Sequence, residues 1–122
     1  MSKWKSNFEK EHNLQDRLEI SNLLLKQYPG KIPVICEKYP GSCPIKSIKK
    51  TKYLIPEDWQ FFQFYKIIRT RTEIDENEAL FLFTSKGFTI TRDIKMLDVY
   101  NLHKNEEDNI LYLFYCKGEL WG

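Results

Sequence analysis

Apolar positions change their period several times along the chain, and each change marks an element. Trp4 and Phe8, four apart among charges, predict a short amphipathic helix over 3–10. Asn13 is a suitable N-cap for a second helix, in which Leu14, Leu18, Leu25 and Tyr28 recur at helical spacing and Ile20, Leu23 and Leu24 widen the stripe. Pro29-Gly30 ends it. Ile32, Val34 and Cys36 alternate with Pro33, Ile35 and Glu37, which predicts a strand. Pro33, lacking an N–H, belongs near the start of that strand or facing away from a neighbour. A second strand is predicted over 49–55, stopped by Pro56. Asp58 caps a helix over 59–72, with Phe61, Phe64, Tyr65 and Ile68 as its core stripe and Trp59 and Ile67 left beyond it. A buried strand over 79–83 and a turn at Lys86-Gly87 follow. Thr91 caps a helix carrying Ile94, Leu97, Val99 and Tyr100, and 110–116 is a last strand, apolar on both faces as a central strand is. Strands interleaved with helices in this order predict an α+β fold with helices packed on one sheet.

Composition narrows the function without naming it. A chain of 122 residues, 42% hydrophobic and 15% aromatic, makes one domain with one core. Its apolar runs fall far short of the roughly 20 residues that a membrane-spanning helix needs. Lys3 and Lys5 precede no apolar stretch, so no secretory signal is read at the N-terminus. A net charge of +2 gives no argument for nucleic acid. The odd cysteine count, 3, with no C-x-x-C pair, fits a reducing compartment, and Cys36 and Cys116 sit in apolar runs where a free thiol behaves as a small buried hydrophobe. His12 and His103 are far apart and predict no metal site. A cysteine hydrolase built on Cys36, Cys43 or Cys116 stands as a remote alternative that predicts alkylation-sensitive turnover. For Trp4 and Phe8, packing on the domain is preferred over contact with an anionic membrane.

Several segments then coincide with a known family. Residues 8–14 read Phe-Glu-Lys-Glu-His-Asn-Leu, and 28–38 read Tyr-Pro-Gly-Lys-Ile-Pro-Val-Ile-Cys-Glu-Lys. Residues 50–58 read Lys-Thr-Lys-Tyr-Leu-Ile-Pro-Glu-Asp, followed by Ile-Arg-x-Arg at 68–71, Ala-Leu-Phe-Leu-Phe at 79–83, Leu111-Tyr112 and a final glycine. Taken in order over nearly the whole chain, this set resembles the autophagy ubiquitin-like modifiers of the GABARAP and microtubule-associated light chain family. The resemblance implies a ubiquitin-like β-grasp with two additional N-terminal helices. It divides the chain into an extension over 1–28, a β-grasp core over 29–116 and a flexible conjugation tail over 117–122. The chain departs from the family where Phe88-Thr89-Ile90-Thr91 replaces a Pro-rich segment. Its Trp121-Gly122 ending, with Tyr115-Cys116-Lys117, is more similar to the protein-linked sister modifier, while the front half, with its two N-terminal helices and residues 28–38, resembles the lipid-linked branch, which is the branch the resemblance favours.

The resemblance also implies a function and a site. Gly122 would be activated as an adenylate, passed as a thioester between the cysteines of activating and conjugating enzymes, and joined to phosphatidylethanolamine. A processing and deconjugating cysteine protease would be a further partner, and no other cofactor is implied. Glycine suits the role, because a residue without Cβ threads a narrow channel and leaves its carbonyl open to attack. The protein would be cytoplasmic, and on autophagosome and vacuolar or lysosomal membranes when lipidated. The alternative is isopeptide linkage to a protein as part of a ligase complex. The family binds aromatic-x-x-aliphatic motifs of cargo receptors by adding a strand to the sheet edge. By matching position, the aromatic pocket is Ile20, Leu24, Pro33, Lys52, Leu54 and Ile110, with Lys50 on the same strand face. The aliphatic pocket is Tyr53, Ile55, Trp59, Phe64 and Ile67, with Arg71 nearby. For Phe64 and Ile67, ordinary core packing is an equally good reading.

Overall fold

The alternation at 32–37 resolves into β1 (Lys31–Lys38), which is buried on both sides. Ile32, Val34 and Cys36 face one layer of side chains, and Ile35 faces another. The structure, a computed structural model, describes residues 4–91 and 93–118. In chain order the elements are α1 (Asn7–Glu11), α2 (Leu14–Gln27), β1, β2 (Lys52–Pro56), α3 (Phe61–Thr72), β3 (Ala79–Thr84), α4 (Met96–His103) and β4 (Leu111–Gly118). This is the order that the hydrophobic pattern predicts. The sheet has 4 strands in the order β2-β1-β4-β3. Its central pair, β1 and β4, is parallel, and β2 and β3 add antiparallel at the two edges. This mixed sheet is the β-grasp of ubiquitin-like proteins, here with α1 and α2 ahead of it.

The two faces of the sheet are covered differently. On one, α3 and α4 close the main core, in which Phe61, Phe64, Ile68, Met96 and Val99 meet Val34, Cys36, Leu111 and Leu113 with almost no exposed surface. On the other, α1 and α2 cover a smaller cluster of Phe8, Ile35, Ile110 and Tyr112, with Ile20 packed against it. Two buried carboxylates fasten that second layer. Glu37 of β1 accepts hydrogen bonds from the N–H groups of Asn7 (2.7 Å) and Phe8 (3.1 Å) at the start of α1. Asp108, fully buried before β4, accepts from the Arg17 guanidinium of α2 (2.5 Å), the Tyr112 hydroxyl (2.6 Å) and the Ile110 N–H (2.9 Å).

Several boundaries differ from the sequence reading, each for a local reason. Trp4 stands outside α1, because Ser6 caps that helix in a reciprocal capping box with Glu9. Its indole instead packs edge-on against Tyr39, Phe83 and Phe114, so packing on the domain is what the structure shows. In α2, Leu14 and Leu23 are exposed, as is Tyr28 at its C-cap, and the buried position is Ser21. The helix lies close over the sheet there, and Arg17 rather than a leucine reaches down to Asp108. The predicted N-cap does hold at Asn13, whose side chain accepts from the Asp16 N–H. α3 begins at Phe61 rather than 59, with Gln60 as its N-cap, because Trp59 and Phe61 exchange backbone hydrogen bonds with the segment before α4. The same pairing, including a Gln60–Lys95 bridge, holds 94–95 extended, so α4 starts at Met96 and not behind Thr91. β4 runs on to Gly118, opposite Ala79, so Lys117 and Gly118 belong to the sheet and not to the tail.

The expectation of reduced thiols fails for two of the cysteines. Cys43 and Cys116 are joined in a disulfide, their Cα atoms 6.2 Å apart across 73 residues of sequence. Sequence distance conceals the pair: residues 39–50 fold back over the end of β4. Gly41 makes that path possible, since a Cβ there would collide with the ring of Tyr39, which is wedged between Trp4 and Phe83. Cys36 remains a free thiol at the bottom of the core, where burial pushes its ionisation far up. None of the three therefore offers a surface thiolate in this structure.

Burial of phenols predicts a stability profile at high pH. Burial pushes the Tyr53 hydroxyl up to about 12 and raises those of Tyr100 and Tyr115. For Tyr112, burial and then the hydrogen bond to Asp108 act in the same direction. The folded chain thus keeps protons that the unfolded chain releases near about pH 10. The contribution is complete below about pH 10 and is lost as pH rises from there through the folded-state values. Urea midpoints followed with phenolate absorbance should fall steadily above about pH 10; a stability unchanged to about pH 11.5 would show that these phenols are accessible to solvent.

Candidate functional site

The site begins with an edge. β2 pairs with β1 on one side and with no strand of the described residues on the other. Its register sets Pro33 opposite Leu54, Ile32 opposite Ile55 and Val34 opposite Tyr53. Alternation along the strand sends Lys52 and Leu54 to the face covered by α1 and α2, and Tyr53 and Ile55 into the main core. An unpaired edge of this kind presents N–H and C=O groups in a row to another extended chain.

On the α2 side, the residues assigned to the aromatic pocket lie around one patch. Ile20 packs on the cluster of Phe8, Ile35, Ile110 and Tyr112, and Leu24 follows one turn later on α2, half-buried. Leu54 is half-buried and Lys52 exposed, while Pro33 and Ile110 are covered, Ile110 to 2% exposure. Ile110 is therefore the floor of this patch and not a wall. The Lys52 ammonium sits 5.6 Å above the Phe8 ring and lines a depression of about 290 Å³ with Phe8, Glu37 and Ile48. Phe8 is not among the expected site residues, although its place in the opening motif marks it. Lys50 leaves the face to which alternation assigns it. It precedes the strand, its carbonyl accepts the Tyr53 hydroxyl (2.7 Å), and its ammonium lies 5.2 Å from the Tyr53 ring centre.

On the α3 side the assigned residues separate into core and surface. Tyr53, Ile55 and Phe64 are buried in the main core, Phe64 with no exposed surface. Trp59, Ile67 and Arg71 instead line an open depression of about 510 Å³ together with Gln63, Lys66 and Thr70. Of the two residues for which core packing is an equal reading, Phe64 is core, and Ile67 is half-buried, packed against the core while lining the depression. Positions 63, 66, 67, 70 and 71 follow helical spacing on one face of α3. That spacing is the signal available for Gln63, Lys66 and Thr70, masked by the stronger stripe of Phe61, Phe64 and Ile68. Gly122 lies outside the described residues.

A β-grasp domain with two helices ahead of it and an unpaired edge strand defines a ubiquitin-like protein. The family model described as "Autophagy protein Atg8 ubiquitin like" matches residues 16–122. The chain belongs to the Atg8 family. It is 35% identical over 118 residues to autophagy-related protein 8 of Mycosarcoma maydis, a match covering 97% of this chain and 98% of that one. It is 34% identical over 115 residues to autophagy-related protein 8h of Arabidopsis thaliana, covering 94% of each. With human microtubule-associated protein 1 light chain 3 gamma it shares 30% identity over 115 residues, which cover 94% of this chain and 78% of the human one. Its structure superposes on the crystal structure of Trypanosoma brucei ATG8 with a TM-score of 0.83 at 27% sequence identity, covering 98% of this chain and all (100%) of the other.

Proposed function

We propose that this Atg8-family chain is the transferred group of a conjugation reaction, joined through Gly122 to phosphatidylethanolamine, and that it then serves on autophagosomal membranes as an adaptor for cargo receptors. Activating and conjugating cysteine enzymes supply the nucleophiles; the lipid amine attacks the Gly122 thioester, the amide forms and the enzyme thiol leaves. No helix of the described residues is long and apolar enough to cross a membrane, so attachment falls to the lipid. Each buried CH₂ of an acyl chain contributes about 0.8 kcal/mol, and two chains anchor a domain stably. The match of residues 16–122 to the Atg8 model supports this acceptor over a protein, the alternative suggested by Trp121.

The observation that carries the adaptor reading is the open edge of β2, flanked by the patch of Ile20, Leu24 and Leu54 on one side and by the depression of Trp59 and Ile67 on the other. A receptor segment of the form aromatic-x-x-aliphatic would pair with Lys52–Pro56, its aromatic side chain toward Ile20, Leu24 and Leu54 and its aliphatic one toward Trp59 and Ile67. An aromatic side chain buries roughly 200 Å², which at about 25 cal/mol/Å² gives about 5 kcal/mol gross. Association consumes several of these, so micromolar binding, about −8 kcal/mol, requires both side-chain contacts and the backbone bonds. Lys49, Lys50, Lys52 and Arg71 around the edge favour acidic residues flanking the motif.

Reconstitution with purified conjugating enzymes and phosphatidylethanolamine vesicles tests the first part. The intact mass should rise by one phospholipid less one water, and Gly122→Ala should reduce the product to background. An adduct heavier by a whole protein would establish the sister chemistry instead, and a Gly122→Ala chain that conjugates like the parent would remove Gly122 from the mechanism.

A further inference from the structure

We propose that Cys43 and Cys116 form a reversible thiol–disulfide clasp, oxidised by low-molecular-weight disulfides of the glutathione class, that sets how firmly residues 39–50 are held to the sheet. The inference stands apart from what Gly122 is joined to. Residues 39–50 link β1 to β2 with no helix or strand of their own. At their start the Tyr39 N–H reaches the Tyr115 carbonyl (2.9 Å), and near their end the Ile48 N–H donates to the Tyr115 hydroxyl (2.9 Å), which donates in turn to the Lys46 carbonyl (3.2 Å). Lys46 also meets Glu73, but both side chains are more than half exposed and such a pair holds little. Between these two anchorages Cys43 is buried against the main core, and its covalent attachment to the sheet is the sulfur–sulfur bond.

The position of the bond suits turnover. Cys43 is buried, whereas Cys116 is half-buried and lines an open depression of about 380 Å³ with Tyr39, Phe81 and Gly118. Of the two cysteines Cys116 is thus the one nearer solvent, and exposed disulfides are the ones that exchange. Cys36 takes no part, since it is fully buried and held protonated.

The exchange balances with one oxidant molecule. The Cys116 thiol loses its proton and its thiolate attacks one sulfur of the small disulfide; that S–S bond breaks, and a small thiolate leaves and takes up a proton. The Cys43 thiolate, formed in the same way, attacks the Cys116 sulfur of the mixed disulfide and releases the second small thiol. Two protein thiols are oxidised and one small disulfide is reduced to two thiols; excess small thiol reverses both steps.

The full chain, equilibrated in glutathione buffers from reducing to oxidising, quenched with an alkylating reagent and weighed intact, tests the clasp. Alkylation of Cys43 and Cys116 should disappear together, at one midpoint approached equally from either side. Hydrogen exchange over 39–50 should quicken at least about tenfold on reduction while β1 and β4 keep their protection, and Cys43→Ser should show the faster exchange in both buffers. A stable glutathione adduct on either cysteine as the oxidised end state, or exchange over 39–50 that ignores redox state, would overturn the proposal. The wild-type comparison decides it even if a serine variant folds poorly.

Discussion

Replacing Asp108 with alanine is expected to lower the folding free energy by about 3–5 kcal/mol, the range for removing one partner of a buried ion pair. The carboxylate has no exposed surface, and the Arg17 side chain is only 13% exposed. The loss is asymmetric. Without Asp108 the Nη1 of Arg17 (whose Nε keeps the His12 carbonyl), the hydroxyl of Tyr112 and the N–H of Ile110 lose this acceptor at once. Each of these sits on a different element, so α2, β4 and the loop between α4 and β4 loosen together. Equilibrium denaturation of Asp108→Ala should show the midpoint displaced with an unchanged slope. A loss below about 1 kcal/mol for Asp108→Ala would mean that water satisfies these donors and that α2 is not pinned through them.

The second large effect separates the core from the surface of the proposed groove. Phe64→Ala removes a fully buried ring from the main core and is expected to cost about 3–5 kcal/mol of stability. Ile67→Ala, on the neighbouring face of α3, should cost under about 2 kcal/mol, because its side chain is already partly in solvent. Binding of an aromatic-x-x-aliphatic peptide should show the opposite order. Ile67→Ala is expected to weaken it by about tenfold, or about 1.4 kcal/mol, while Phe64→Ala chains that remain folded should bind nearly as the parent. Calorimetry below the melting range of both variants measures this. If Phe64→Ala abolishes binding in the folded state, the pocket opens deeper into the core than the structure holds it.

These two cases also show where sequence reading succeeds and where it stops. Period changes locate the helices and strands in order, because each element of this chain buries a face and burial leaves its period in the sequence. The edge position of β2 and the central position of β4 are legible for the same reason: lysines on the one and apolar residues on both faces of the other. Boundaries fail where a tertiary bond overrules local preference, as where Met96 and Phe61 draw their hydrogen bonds from one another's flanking segments. Phe64 and Ile67 cannot be told apart, since both continue an apolar pattern on α3 and only the position of the sheet decides which one it covers. The Arg17–Asp108 pair and the Cys43–Cys116 bond are invisible, because each joins residues far apart whose types carry no signature of pairing.

Glu37 gives the N-terminal extension a standing that its place in the chain does not suggest. The carboxylate comes from the middle of the sheet, and its oxygens are occupied by two peptide N–H groups of α1. A chain lacking that helix would leave the Glu37 carboxylate without these two donors and uncover the part of the cluster that Phe8 closes. The first helix therefore acts as a counter-ligand that the sheet is built to receive. A cut after residue 28 separates two stretches of sequence but not two units of folding.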